Sequence, residues 1–339
     1  MLVTGCHRSG TSLLASLLVD VLGLQRTDDL APGPDNPRGF FESRRLTTFN
    51  DQLLASLGGD WSHPPLLPPR WSDPVLLDQI TAARSQFAAD AMGRDWLDKD
   101  PRLCITLPAI NHLLLRRVPV LVALRDPLQV AVSLQLRNGF PLERGLALWF
   151  VYNHHLAAAL QPSDQLFTYA DLIQAANAPS ASQAVWERLA PFLERHGYPV
   201  PSPAGWAQIL VQRVEPGLNR ANQLQSQSGA DGIGGGSTGL APALLELVQA
   251  AYKQASTGVE GHRQAFGSLP WPILELCERL SLCAPGMGQQ QRCRELEDQL
   301  AECRHQLADQ QRQLEALRSS TSWQATAPLR WWLDRRRRR

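Results

Sequence analysis

The chain has 339 residues, 44% of them hydrophobic, enough for one large α/β domain with an appendage. Thirty-three lysines and arginines stand against 32 aspartates and glutamates, a formal net charge of +1, and the last five residues are all arginine. Bulk charge therefore leaves no footprint of a nucleic-acid partner, and no apolar run reaches the length that spans a bilayer. The six cysteines, at 6, 104, 277, 283, 293 and 303, show neither a CxxC pair nor metal-ligand spacing, so free thiols are expected. With a strand at the very start and no leader pattern ahead of it, a cytoplasmic location is the expectation.

Met1 to Thr4 reads as a short buried strand, and Thr11 to Leu22 carries Leu13, Leu14, Leu17, Leu18, Val21 and Leu22 at helical spacing. Between them lies Gly5-Cys6-His7-Arg8-Ser9-Gly10-Thr11-Ser12. Strand, tight glycine-bounded loop and hydroxyl-rich helix start make an anion cradle, because backbone N–H groups and the helix N-terminus converge on one point. The glycine spacing is that of a P-loop with one departure: Thr11 stands where an NTPase loop carries lysine, and Ser12 follows. That lysine reaches the terminal phosphates, so its loss argues against nucleotide hydrolysis. Arg8 lies inside the loop instead, a planar charged fork suited to a tetrahedral oxyanion without a metal. The plainer alternative is a strand–turn–helix whose glycines only make the turn.

Residues 28–41, rich in proline, glycine and aspartate, read as loop. Ser43 caps a helix with Leu46, Phe49, Leu53, Leu54 and Leu57 on one face. An irregular excursion over 58–74 precedes a helix near 75–92, a short strand near 95–97 and a helix over 108–117. Val118 to Leu124 is a buried strand ending at Arg125-Asp126-Pro127. Helices over 127–137 and 142–160, a strand over 165–169 and a helix over 182–196 follow. Strands alternating with helices imply a three-layer α/β fold with a mostly parallel central sheet, its ligands at the carboxyl ends of the strands.

Residues 225–240 read as a flexible insert. The globular domain is expected over 1–269, with a linker over 270–288. Cys293, Leu296, Leu300, Cys303, Leu307, Gln310, Leu314 and Leu317 then alternate three and four apart, predicting a coiled coil over 289–318 and with it a homo-oligomer. A single surface helix is the alternative. In the tail, 319–339, Trp331 and Trp332 ahead of the arginines suit a peripheral contact of 328–339 with an anionic membrane surface; a solvated end is the other reading.

Arg125 ends a buried strand and Ser133 follows eight residues later on the next helix, so the two can converge on one phosphate, with Pro127 in the first helical turn. At these residues the chain resembles the sulfotransferase superfamily that uses 3′-phosphoadenosine 5′-phosphosulfate (PAPS), and in particular its bacterial and tyrosylprotein-sulfotransferase-like branch. GCHRSGTSLL is similar to the family's loop for the 5′-phosphosulfate, and the arginine–serine pair to its 3′-phosphate site. The resemblance implies a P-loop-like fold and PAPS as donor, with no metal. It puts Gly5, His7, Arg8, Ser9, Gly10, Thr11 and Ser12 around the 5′ end, Arg125 and Ser133 on the 3′-phosphate, and Tyr169 near the adenine. Phe167-Thr168-Tyr169-Ala170-Asp171-Leu172 departs from the family's pattern, since Ala170 stands where glutamate is usual. Arg137, one helical turn beyond Ser133, is a further donor for the 3′-phosphate.

Asn36-Pro37-Arg38-Gly39-Phe40-Phe41-Glu42 and Trp96-Leu97-Asp98-Lys99-Asp100-Pro101 resemble the same branch, in which a glutamate is the base and a lysine or arginine supports the leaving oxygen. The chemistry asks for the same parts: an acceptor hydroxyl must lose its proton as it attacks, and cations must meet the charge on the departing oxygen. Glu42 is accordingly expected as base, with Lys99 and Arg8 as charge stabilisers. Competing readings are a helix-start carboxylate for Glu42 and a surface lysine paired with Asp98 or Asp100 for Lys99. His7 ranks behind Glu42 as base; His63, His112, His154 and His155 carry no motif. The expected function is transfer of a sulfuryl group from PAPS to a hydroxyl or amine of an acceptor, with a glycan or lipid-linked glycan favoured. A P-loop kinase or NTPase, and a non-catalytic coiled-coil scaffold with a PAPS-binding domain, are the alternatives.

Overall fold

A computed structural model describes residues 1–24, 29–31, 33, 39–87, 96–214, 240–283 and 312. Four strands, β1 (Leu2–Thr4), β2 (Asp98–Lys99), β3 (Val120–Leu124) and β4 (Gln165–Thr168), form one parallel sheet in the order β2-β1-β3-β4. The expected strand near 95–97 is corrected to Asp98–Lys99. Its position is fixed by pairing Leu2 with Asp98 and Val3 with Lys99, while the carbonyl of Trp96 is taken by the N-terminal ammonium of Met1 at 2.6 Å.

Parallel strands read as unbroken apolar runs because both faces are covered. Met1, Val3, Leu121, Ala123 and Phe167 pack in one buried cluster with side chains of α1 (Thr11–Leu22), α7 (Tyr169–Asn177), α8 (Pro179–Arg195) and α9 (Pro203–Arg213). Alternate residues point the opposite way. Thr4 there meets Cys104 of α4 (Leu103–Leu114), which packs with α6 (Leu142–Ala159), itself packed on α5 (Pro127–Asn138). The helix expected over 108–117 thus begins five residues earlier and carries Pro108 in its interior. The helices α2 (Arg44–Ser56) and α3 (Pro74–Ala83), the latter continued by a short 3-10 turn at Arg84–Phe87, lie in the chain between α1 and β2.

Caps place the turns that matter. Ser43 accepts the Leu46 N–H at the start of α2, Asp126 accepts that of Gln129 with Pro127 following, and Thr168 and Asp171 form a reciprocal capping box that starts α7 directly off β4.

Beyond α10 (Pro242–Ala255) and α11 (Val259–Ala265), the expected linker at 270–288 is corrected in part. Trp271–Arg279 is a helix, α12, that buries Ile273, Leu276 and Cys277 and packs on α6, within a compact unit reaching Gly286. Pro270 and Pro272, which read as linker, sit at the helix start, where a missing N–H costs nothing. The insert over 225–240 apart from Leu240, the coiled coil over 289–318 apart from Arg312, and the tail over 319–339 lie outside the described residues. Among the described residues no helix is long and apolar enough to cross a membrane.

Candidate functional site

The carboxyl ends of all four strands carry the residues singled out by sequence: Gly5 follows β1, Lys99 closes β2, Arg125 follows β3, and Tyr169 follows β4. At the first, two glycines are required by close approach. A Cβ on Gly5 would stand 2.2 Å from the Ala123 carbonyl oxygen, and one on Gly10, whose φ is +91°, would stand 2.5 Å from the Tyr169 ring. Arg8 adopts a left-handed φ of 68°, a conformation that costs about 1–2 kcal/mol and persists only where neighbours hold it.

Those neighbours come from distant segments. Arg8 Nε donates to Ser133 Oγ at 2.9 Å, and the Arg8 carbonyl accepts from Arg125 at 3.1 Å. The Arg125 guanidinium lies 4.3 Å over the Tyr169 ring, and its Nε donates to Gln129 Oε1 at 3.0 Å. Arg8, Arg125, Ser133 and Tyr169 therefore form one cluster, in which Arg8, expected at the 5′ end, meets Ser133, expected at the 3′-phosphate. Arg125, Gln129 and Tyr169 line a cavity of about 190 Å³ together with Tyr252 of α10. Sequence reasoning missed Tyr252, which no local motif marks.

Within the cradle, two buried polar atoms have no hydrogen-bond partner, Ser9 Oγ and His7 Nε2. Ser9 is only 1% exposed. A buried unsatisfied hydroxyl is expensive, so its presence in a glycine loop beside a helix start is the mark of a ligand position. The His7 ring packs against Trp61 and Tyr152, at centroid distances of 4.8 and 5.3 Å. Burial first, then the charges of Arg102, Arg137, Lys99 and Arg8, hold its pKa well below the ordinary histidine value. His7 is thus a neutral imidazole and a poor base, and the four cations that depress it create the positive potential an anion needs. Ser12 Oγ donates to the Phe40 carbonyl at 3.4 Å, tying the helix start to the loop that leads to Glu42, and Thr11 is buried as the first residue of α1. Arg137 is exposed on α5, and its field acts on His7.

Glu42 immediately precedes the Ser43 cap, as expected, on a turn with positive φ at Gly39 and Phe41; residues 36–38 lie outside the described set. Lys99 Nζ donates to Glu42 Oε1. With Lys99 1% exposed, the surface-lysine reading is overturned: its ammonium is buried, and Glu42, rather than a neighbouring aspartate, is the carboxylate its Nζ bonds. Burial raises the Glu42 pKa and Asp100 adds to the rise, while Lys99 and Arg102 oppose it. Asp98 and Asp100 instead bind the frame around the pair. Asp100 accepts from Asn50 at 2.9 Å and from the Arg102 guanidinium at 3.0 Å, and Arg102 also pairs with Asp51 at 2.5 Å. Two aspartates flanking a lysine at a strand end were the available signal for this network.

His154 and His155 are buried and bonded to the carbonyls of Phe266 and Pro65, each at 2.7 Å, which is structural work. Among the described residues no cluster of three or more histidine, cysteine, aspartate or glutamate side chains is arranged to hold a metal ion. The chain matches no protein-family model, no curated protein and no solved structure.

Proposed function

We propose that the protein is a PAPS-dependent sulfotransferase with a P-loop-like core, acting on a hydroxyl or amine of an acceptor, a carbohydrate in the favoured case. The observation that carries the reading is the joining of two anion positions. The glycine cradle with its unpartnered Ser9 hydroxyl is linked through the Arg8 side chain to Ser133 and, through the Arg8 carbonyl, to Arg125, stacked on Tyr169 above a cleft. A nucleotide bearing anionic groups at both its 5′ and 3′ ends fits that pair; one phosphate would need only the cradle.

PAPS would supply an activated sulfuryl group whose leaving oxygen belongs to the 5′-phosphate. Glu42 is the base that takes the acceptor proton. Its raised pKa keeps it basic enough for the task, and its partner Lys99 is the cation for charge on the leaving oxygen. A buried ion pair is a weak source of stability, which favours a chemical reason for it. Arg8 and Ser9 contact the transferred group, and His7, neutral, donates or accepts a hydrogen bond there. The coiled coil and the tail would bring copies together and toward an anionic membrane surface from the cytoplasmic side.

The competing reading, phosphoryl transfer by a kinase or NTPase, lacks the loop lysine at Thr11. Incubation of the full chain with sulfur-labelled PAPS and fractionated cell extract tests the proposal. Label transfer to a discrete acceptor supports it, whereas magnesium-dependent ATP turnover without sulfuryl transfer refutes it. Tight PAPS binding with no transfer over a broad acceptor panel selects the scaffold reading.

A further inference from the structure

The Glu42–Lys99 pair joins residues far apart in sequence across the open edge of the sheet, and something must hold the two backbones in register. Among the described residues, β2 has a partner strand on one side only. The N–H groups of Asp98 and Asp100 point inward, to the carbonyls of Met1 and Val3 at 3.2 and 3.3 Å. The intervening Lys99 N–H must then point to the open side. It is met there by the Asp98 carboxylate, whose Oδ1 accepts it at 2.8 Å. The same Oδ1 accepts the N–H of Ser43 at 3.0 Å, and Oδ2 accepts the Ser43 hydroxyl.

One carboxylate, 1% exposed, thus binds the peptide that follows Glu42 and the peptide that carries Lys99. It does the work of a fifth strand over a span of two residues. From this geometry we infer that Asp98 is a positioning residue that holds Glu42 against Lys99 for proton transfer. The inference rests on the reading of Glu42 and Lys99 as the base and its cation. Ser43 is the second half of the clamp, since its hydroxyl both donates to Asp98 and caps α2.

The consequence is electrical and can be separated from simple loss of a charge. The charged groups that act on Glu42 are Lys99 of β2, Asp100 just beyond it and Arg102 at the start of α4, with Asp98 on the neighbouring peptide. Replacing Asp98 by alanine removes an anion together with both ties, and the loss of charge alone would ease ionisation of Glu42 and lower its titration midpoint. If Asp98 instead keeps Glu42 against Lys99, its loss weakens the pairing and the midpoint rises. The two roles predict opposite signs.

The test uses the full chain with ¹³C at the glutamate carboxyls, the Glu42 resonance being identified by its disappearance in Glu42→Gln. In Asp98→Ala, which removes the acceptor of both N–H groups, the Glu42 midpoint should rise by about one pH unit, whereas Asp98→Asn, which keeps Oδ1 and drops only the charge, should not raise it. Ser43→Ala, which keeps the Asp98 charge and releases one tie, should raise it by less than Asp98→Ala. Under the proposed function, kcat for sulfuryl transfer falls at least about tenfold in Asp98→Ala, while the affinity for 3′-phosphoadenosine 5′-phosphate stays at the wild-type value. A midpoint that falls or does not move in Ser43→Ala, or in a folded Asp98→Ala, overturns the inference. Because the titration needs no turnover, a wild-type protein inactive toward PAPS would refute the sulfotransferase reading while the role of Asp98 is still decided.

Discussion

Removing the Arg125 guanidinium separates the two anion positions most cleanly. The side chain is 8% exposed and has three roles at once: it stacks on Tyr169, bonds Gln129, and donates to the carbonyl of Arg8 in the cradle. In Arg125→Ala a ligand with a 3′-phosphate loses a charge-assisted hydrogen bond, about 1.5–3 kcal/mol. Every cradle ligand also loses the brace on Arg8, a guanidinium-to-carbonyl bond whose indirect share in ligand affinity is about 1 kcal/mol. Calorimetric titration with 3′-phosphoadenosine 5′-phosphate should therefore show a loss of about 60- to 900-fold in affinity, and titration with adenosine 5′-phosphate a loss of only about fivefold. Arg125→Lys should fall between wild type and alanine, because an ammonium keeps the charge but not the fork or the flat stack on Tyr169. Equal losses for the two ligands would refute the assignment of Arg125 to a second phosphate, and so would a ratio of losses under about threefold.

Ser9→Ala deletes a buried hydroxyl that has no partner, so the melting temperature of the ligand-free protein should hold or rise while affinity for the bisphosphate falls about tenfold; a fall in both would make Ser9 structural. The acid limb of kcat/KM should lie above the ordinary glutamate value, because burial raises the Glu42 pKa and only the ionised form takes a proton; Glu42→Gln should abolish turnover, and an unchanged pH profile in it would sink the base. His262 is fully buried, with Nε2 on Asn153 at 2.9 Å, and desolvation pushes its pKa down to about 3. The unfolded chain takes this proton near pH 6.5 and the native protein does not, so stability is complete above that pH and is lost as pH falls toward 3, by about 1.4 kcal/mol per pH unit. Denaturant titrations of His262→Leu between pH 6 and 4 should show a dependence one proton shallower than wild type; an equal slope would contradict the buried neutral ring.

What the sequence determined by itself lies within short spans of chain. The glycine cradle, the Asp126–Pro127 helix start and the Ser43 cap are each written in fewer than about ten residues, because turn and cap chemistry acts through neighbours. The unbroken apolar runs at Met1–Thr4 and Val118–Leu124 likewise announced buried parallel strands.

Tertiary structure alone decided which of these groups meet. Arg8 reaches Ser133 across 125 positions of sequence, and Glu42 reaches Lys99 across 57. No periodicity carries such pairings. They arise because the parallel order β2-β1-β3-β4 brings four strand ends to one edge. The same reason explains the corrections: β2 is two residues long, too short for any pattern, and takes its register from β1, while α12 hid behind prolines that serve as a helix start once Ile273, Leu276 and Cys277 have a surface to cover. Sequence leaves Lys99 open between a charge stabiliser and a surface lysine until a buried carboxylate is brought to it, and burial, a property of the whole fold, is what raises the Glu42 pKa in that pair.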